Sequence, residues 1–155
     1  EPHRSMLALG RTAFVMQKIE SGLPAFVGNV WERLCQTAVS GNQLFNHTWN
    51  MARRWWGKVP VYEEGRKTPI GFEELEFDVV AESADDKDTI LVGECKWKSA
   101  DYADRLLMKL KTKTQKAPFA QGKNIIYVLF LKEPPLSEAD CHILFPNEIL
   151  KYQPE

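Results

Sequence analysis

Apolar positions recur along this chain with two different periods. Val27, Val30, Trp31, Leu34 and Ala38 fall at i, i+3, i+4, i+7 and i+11, which is one face of a helix. Pro24 suits the first turn of such a helix and Gly41 its stop, so a helix is predicted over 24–39. Upstream, residues 5–20 are mixed and carry Gly10, which predicts only a short helix set off by SGLP. The period then drops to two. RRWWGKVPVYEE (53–64) reads as a strand broken by Gly57 and Pro60, followed by a loop from Gly65 to Gly71. EELEFDVVAE (73–82) and TILVGECKWK (89–98) are strands joined by the turn SADDKD. Helical spacing returns over 101–116 in Ala103, Leu106, Leu107 and Leu110, with Asp101 and Asp104 at the head and lysines at the tail. NIIYVLFL (124–131) is continuously apolar, so it is expected to be a strand buried on both faces, ended by Pro134 and Pro135. CHILF (141–145) is a last short strand, and the tail is helix or coil. The order α-β-β-β-α-β-β defines an α/β fold, a mixed central sheet flanked by helices.

Length fits one domain of about 150 residues, since the chain has 155. We divide it into an adaptor segment, 1–23, and a domain, 24–155. A first residue of Glu rather than Met reads as a piece of a longer chain or a processed product. Three cysteines without C-x-x-C spacing argue against a disulfide framework or a zinc ribbon and fit a reducing, cytoplasmic compartment. No apolar run approaches the roughly 20 residues of a membrane span. Net charge is −1, which excludes a histone-like nucleic-acid binder. The charge is nevertheless segregated. Residues 63–94 hold 11 acids and three bases, whereas Lys96 to Lys123 holds eight bases and two acids.

The chemistry concentrates in the hairpin of residues 73–98. Side chains alternate across a strand, which puts Leu75, Phe77, Val79 and Ala81 on one face and Glu76, Asp78, Val80 and Glu82 on the other. In the second strand Glu94 and Lys96 share a face, with Cys95 and Trp97 on the opposite, core-facing side. A turn centred near Asp86 sets Asp78 against Glu94, Val80 against Val92 and Glu76 against Lys96. Two carboxylates directly opposed are destabilising unless something lies between them. A divalent cation, Mg²⁺ or Mn²⁺, is the simplest occupant, because such ions take a few carboxylate oxygens and keep several waters. Lys96 follows Glu94 by about 6.6 Å on the same face, within reach of a water or a phosphate oxygen. Asp78 and Glu94 as metal ligands with Lys96 beside them suit phosphodiester hydrolysis. Charges alternating along a solvated strand would give the same letters.

Four segments, VGNVWERLCQ, WWGK, EFDVVA and GECKW, occur in that order between Val27 and Lys98. Together they resemble the PD-(D/E)xK nuclease superfamily, and most closely a C-terminal domain of unknown function found on prokaryotic AAA-type ATPases. The resemblance implies a restriction-endonuclease-like fold, a site made of Asp78, Glu94 and Lys96, and an upstream ATPase domain in the same chain. It also implies that Glu32 joins the site, although the helical period puts Glu32 more than about 100° from the apolar face of its helix. Phe77 stands where the superfamily's name has proline.

Of the other residues, Trp55 and Trp56 point to opposite faces, so at most one is free to stack on a base. Lys98, Arg105, Lys109 and Lys113 are candidates for contacting a phosphate backbone, or are a solvated helix face. His47 and His142 lack ligand spacing and read as structural. Two functions stay open: a metal-dependent nuclease domain acting on DNA or RNA, or a catalytically inactive nuclease-fold module that binds nucleic acid or a protein partner. A dimeric restriction-type or junction-resolving enzyme is a third, and a homo-oligomer is compatible with any of them.

Overall fold

A computed structural model describes residues 12–98 and 102–154. The first eleven residues of the predicted adaptor, and Asp101, lie outside them. The first helix, α1, runs from Thr12 to Val39 without the predicted break. Pro24 lies inside it, where the ring removes one backbone hydrogen bond. Gly22 to Phe26 are exposed, so no packed neighbour has to accommodate the proline ring.

A hairpin absent from the sequence reading follows, β1 (Gln43–Leu44) with β2 (His47–Thr48). Its two-residue turn puts Phe45 at φ 54° and Asn46 at φ 64°. That is the doubly left-handed turn that fits strand twist, but phenylalanine is an unfavourable residue for it. The Phe45 ring stacks on His142, centroids 3.8 Å apart, and this long-range contact holds the turn.

The main sheet has the order β3-β4-β5-β6-β7, with β3 (Arg53–Val61), β4 (Gly71–Glu82), β5 (Thr89–Lys96), β6 (Asn124–Leu131) and β7 (His142–Leu144). The first three strands are antiparallel and the last two add in parallel. Helix α2 (Ala103–Lys116) makes the crossover from β5 to β6, and α3 (Pro146–Ile149) closes the chain beside α1. β3 is not broken at Gly57 or Pro60. It is an edge strand, so a proline lacking its N–H costs little there. Gly57 is needed because the Trp55 indole lies across it, and an added Cβ would come within 2.6 Å of the ring.

The sheet is sandwiched. On one face Val79, Ala81, Leu91, Val128 and Phe130 pack under α1 against Trp31, Cys35 and Ala38. On the other, Phe77, Ile90, Val92, Leu129 and Leu131 pack under α2 against Ala103, Leu106 and Leu110. β6 is buried only over Val128–Leu131, because β7 covers only Val128–Phe130, which corrects the expectation of full burial. No described helix is long and apolar enough to cross a membrane.

Candidate functional site

The site begins with an irregularity in β4. Arg53 pairs with Val80 and Trp55 with Phe77, so Asp78 and Val79 together oppose the single residue Arg54. This bulge exchanges the faces of the strand. Leu75 and Phe77 point to the α2 side, whereas Val79 and Ala81 point to the α1 side. The strict alternation predicted through Leu75, Phe77, Val79 and Ala81 is therefore corrected. Asp78 sits at the switch.

The β4–β5 register agrees with the predicted turn centre. Glu82, Ala81, Val80 and Val79 pair with Ile90, Leu91, Val92 and Gly93. The ladder ends there, and the strands fork. At the fork the Asp78 carboxylate replaces the ladder and accepts the Cys95 backbone N–H at 2.8 Å. Asp78 and Glu94 meet as neighbours across the fork, and Asp78 feels the Glu94 charge. The predicted Glu76–Lys96 pair does not form. β4 has left β5 by that point, and Glu76 instead bonds Arg54 on β3.

Gly93 at the apex packs under Phe130, and a Cβ there would lie 2.5 Å from that ring. Cys95 and Trp97 are core residues as read. Cys95 is 7% exposed, and Trp97 packs on Trp31 with centroids 5.0 Å apart. The Cys95 thiol, against Cys35, is pushed well up by burial.

Burial raises the Asp78 carboxyl above its ordinary value, and the Glu94 charge adds to this. Glu94 is half-buried, which alone would raise it, but Lys113 and Lys96 outweigh that cost and hold its carboxyl below the ordinary range. Lys96 Nζ bonds Glu94 Oε1 at 2.8 Å, and Lys113 Nζ bonds Glu94 Oε2 at 2.6 Å. Burial would lower the Lys96 ammonium, but the bond to Glu94 prevails and raises it.

Glu32 joins this group. Its carboxyl is raised by burial and then by Asp78, and is eased down by Arg54 and Lys96. One turn further along α1, Gln36 donates Nε2–H to the backbone oxygen of Asp78 at 2.8 Å. The polar stripe of α1 thus faces the fork while Trp31 and Cys35 beside it face the core.

Lys113 is repositioned relative to its sequence reading. It was a candidate for the phosphate backbone, yet it reaches inward to Glu94 and to the Glu76 carbonyl at 2.8 Å. Arg105 lies over the Tyr102 ring at 4.4 Å, and Lys98 and Lys109 are exposed. Trp55 is packed on Phe77 and Phe119, which leaves Trp56 as the outward indole of the pair. His47 bonds Ser83 at 3.0 Å, and His142 stacks on Phe45, so both have structural contacts.

Arg54 and Gln36 were missed. The signal for Gln36 was available, since it lies four residues after Glu32 on one helical stripe. Arg54 required knowledge of the bulge.

Among the described residues no group of three or more His, Cys, Asp or Glu side chains is placed as a metal cage. A hard divalent ion held by two carboxylates and water asks for less than that. Asp78, raised by burial and then by Glu94, is the carboxylate whose charge a cation would relieve, whereas both Glu94 oxygens are engaged by Lys96 and Lys113, one of which would have to yield to such an ion.

The chain is thus an α/β protein in three layers, with an acidic pair and lysines gathered where two central strands part. Residues 1–116 match a family of archaeal and bacterial proteins of unknown function, DUF234, and the chain belongs to it. The matched span ends with the last residue of α2, so it includes Glu32, Asp78, Glu94, Lys96 and Lys113. No curated protein and no solved structure matches the chain.

Proposed function

We propose that this is a metal-dependent phosphodiesterase domain acting on DNA or RNA, as the resemblance to PD-(D/E)xK nucleases implies. The observation that carries the reading is the gathering of Asp78, Glu94, Lys96 and Glu32 at one fork, from β4, β5 and α1. Asp78 and Glu94 would hold Mg²⁺ or Mn²⁺, which when bound supplies Lewis acidity and an activated water. The chain's own groups do the rest. Lys96 keeps its proton, because its bond to Glu94 raises it, and so presents a fixed positive charge where phosphate charge develops. Glu32, whose carboxyl is raised, is suited to take up or return a proton beside that charge. Gln36 fixes the backbone of Asp78 and with it the direction of its carboxylate.

A second reading rests on Glu94. Both of its oxygens are engaged by lysines, which suits a nuclease fold that binds nucleic acid without cutting it. Incubation with supercoiled plasmid and with single-stranded DNA and RNA separates the two. Cleavage that needs Mn²⁺, stops with EDTA and falls at least a hundredfold in Lys96→Ala is expected. Intact substrate under every metal, with wild type and Lys96→Ala alike, would favour the binding module.

A further inference from the structure

The acidic and basic stretches of the sequence meet in space, and this bears on where a nucleic acid can lie. Lys96 and Lys113 pair with Glu94, Lys116 with Glu73 at 2.7 Å and Lys123 with Asp88 at 3.6 Å. At least four of the eight cations between Lys96 and Lys123 are therefore engaged by carboxylates of the acidic stretch. The basic segment is in large part an internal counter-ion.

A different surface keeps its charge. An open cleft of about 650 Å³ runs along the C-terminal half of α1 and the chain's tail, with Arg33 and Lys151 in its lining. Among the described residues this lining holds no carboxylate, and neither cation makes an ion pair. The rest is neutral and polar, including Thr37, Ser40 and Asn42. The tail is fixed against α1, because Gln153 donates Nε2–H to the Leu34 carbonyl at 3.1 Å and to that of Ile149 at 3.0 Å.

The cleft touches the site through one residue of α1. Gln36 lines it and also bonds the Asp78 backbone, and Arg33 is the neighbour of Glu32. Past Met51 a second cleft, of about 640 Å³, adjoins the first and carries Arg53, the carboxylate Glu82, and Arg54, which is already paired with Glu76. Arg54 is the arginine whose charge reaches Glu32.

We infer that the phosphodiester backbone of a nucleic acid lies in this α1–tail cleft, held by Arg33 and Lys151, and passes Met51 toward Arg53. The inference rests on the proposed nucleic-acid substrate and names the surface that holds it. Phosphate contacts act through charge and counterion release, so each one lost lowers the salt slope of binding by about 0.7–0.9.

Fluorescence anisotropy with labelled 30-mer single strands and duplexes, in EDTA over a series of salt concentrations, tests the surface apart from cleavage. Arg33→Gln/Lys151→Gln is expected to bind at least tenfold more weakly at 0.1 M salt, with a salt slope reduced by about 1.5. Arg105→Gln/Lys109→Gln, on the exposed side of α2, is expected to bind as wild type does. The converse result, with the α2 pair weakened as much or more and the cleft pair unchanged, would overturn the cleft and leave the nuclease reading standing. No binding by wild type to any strand would overturn both.

Discussion

Asp78 is the residue at which function and stability pull apart. It is buried beside Glu94, so its ionised form costs the folded state, and its carboxyl titrates above the ordinary 3.8. The sign follows from linkage. Between the ordinary value and the raised one, the folded protein binds more protons than the unfolded chain, so stability falls as pH rises through that window. Asp78→Asn keeps an oxygen for the Cys95 N–H but removes the charge. The metal-free variant should be more stable than wild type at pH 7, by thermal or urea unfolding, and should lose this fall. A less stable Asp78→Asn with the slope intact would mean that neither burial nor Glu94 burdens the Asp78 charge. Glu94 has the opposite sign. Lys113 and Lys96 hold it low despite burial, so it stabilises at neutral pH, and that contribution is lost as acid titrates it. That Asp78 comes close to Glu94 was legible in the sequence because one turn centre sets the β4–β5 register, whereas the Glu76–Lys96 pair read from the same register does not form. The role of Lys113 was not legible, since it depends on how α2 lies over β5.

The strands and helices show where local pattern ends. α2 and β5 were readable because their apolar periods match the faces they bury, and β4 and β6 were readable as strands although the bulge in β4 and the short β7 change which of their residues are buried. The failures were all places where tertiary context overrides a local rule. Pro24 sits inside a solvated helix, Pro60 on a sheet edge, and Phe45 in a left-handed turn held by His142. The bulge at Asp78 and Val79 leaves no mark in the residue letters, yet it turns Leu75–Phe77 and Val79–Ala81 to opposite faces and sets Asp78 between them. The fork depends on close packing at its apex. Gly93→Ala would drive a methyl into Phe130, which is fully buried, and against Val79. Overpacking of this kind costs about 1–3 kcal/mol, and the cost should appear as a lower urea midpoint. A midpoint equal to wild type would show that β5 and β6 have room to separate at the fork.

For the molecule as a whole, the near-zero net charge conceals an internal neutralisation. The acidic β4–β5 hairpin and the basic α2 segment meet, with Glu94 between two lysines. The segregation was visible in the sequence, but the contact was not, because it needs α2 laid across the sheet. The four-part resemblance spans the region that holds the fork, and membership in a family of unknown function leaves the activity to the chemistry of the site. The central claim is that Asp78 and Glu94 share one divalent cation at the fork. Calorimetric titration of the intact chain with Mn²⁺ tests it most directly. One Mn²⁺ per chain is expected, with binding weakened at least tenfold by Asp78→Asn and by Glu94→Gln while both variants stay folded. No binding by wild type, or binding that both substitutions leave unchanged, would contradict it.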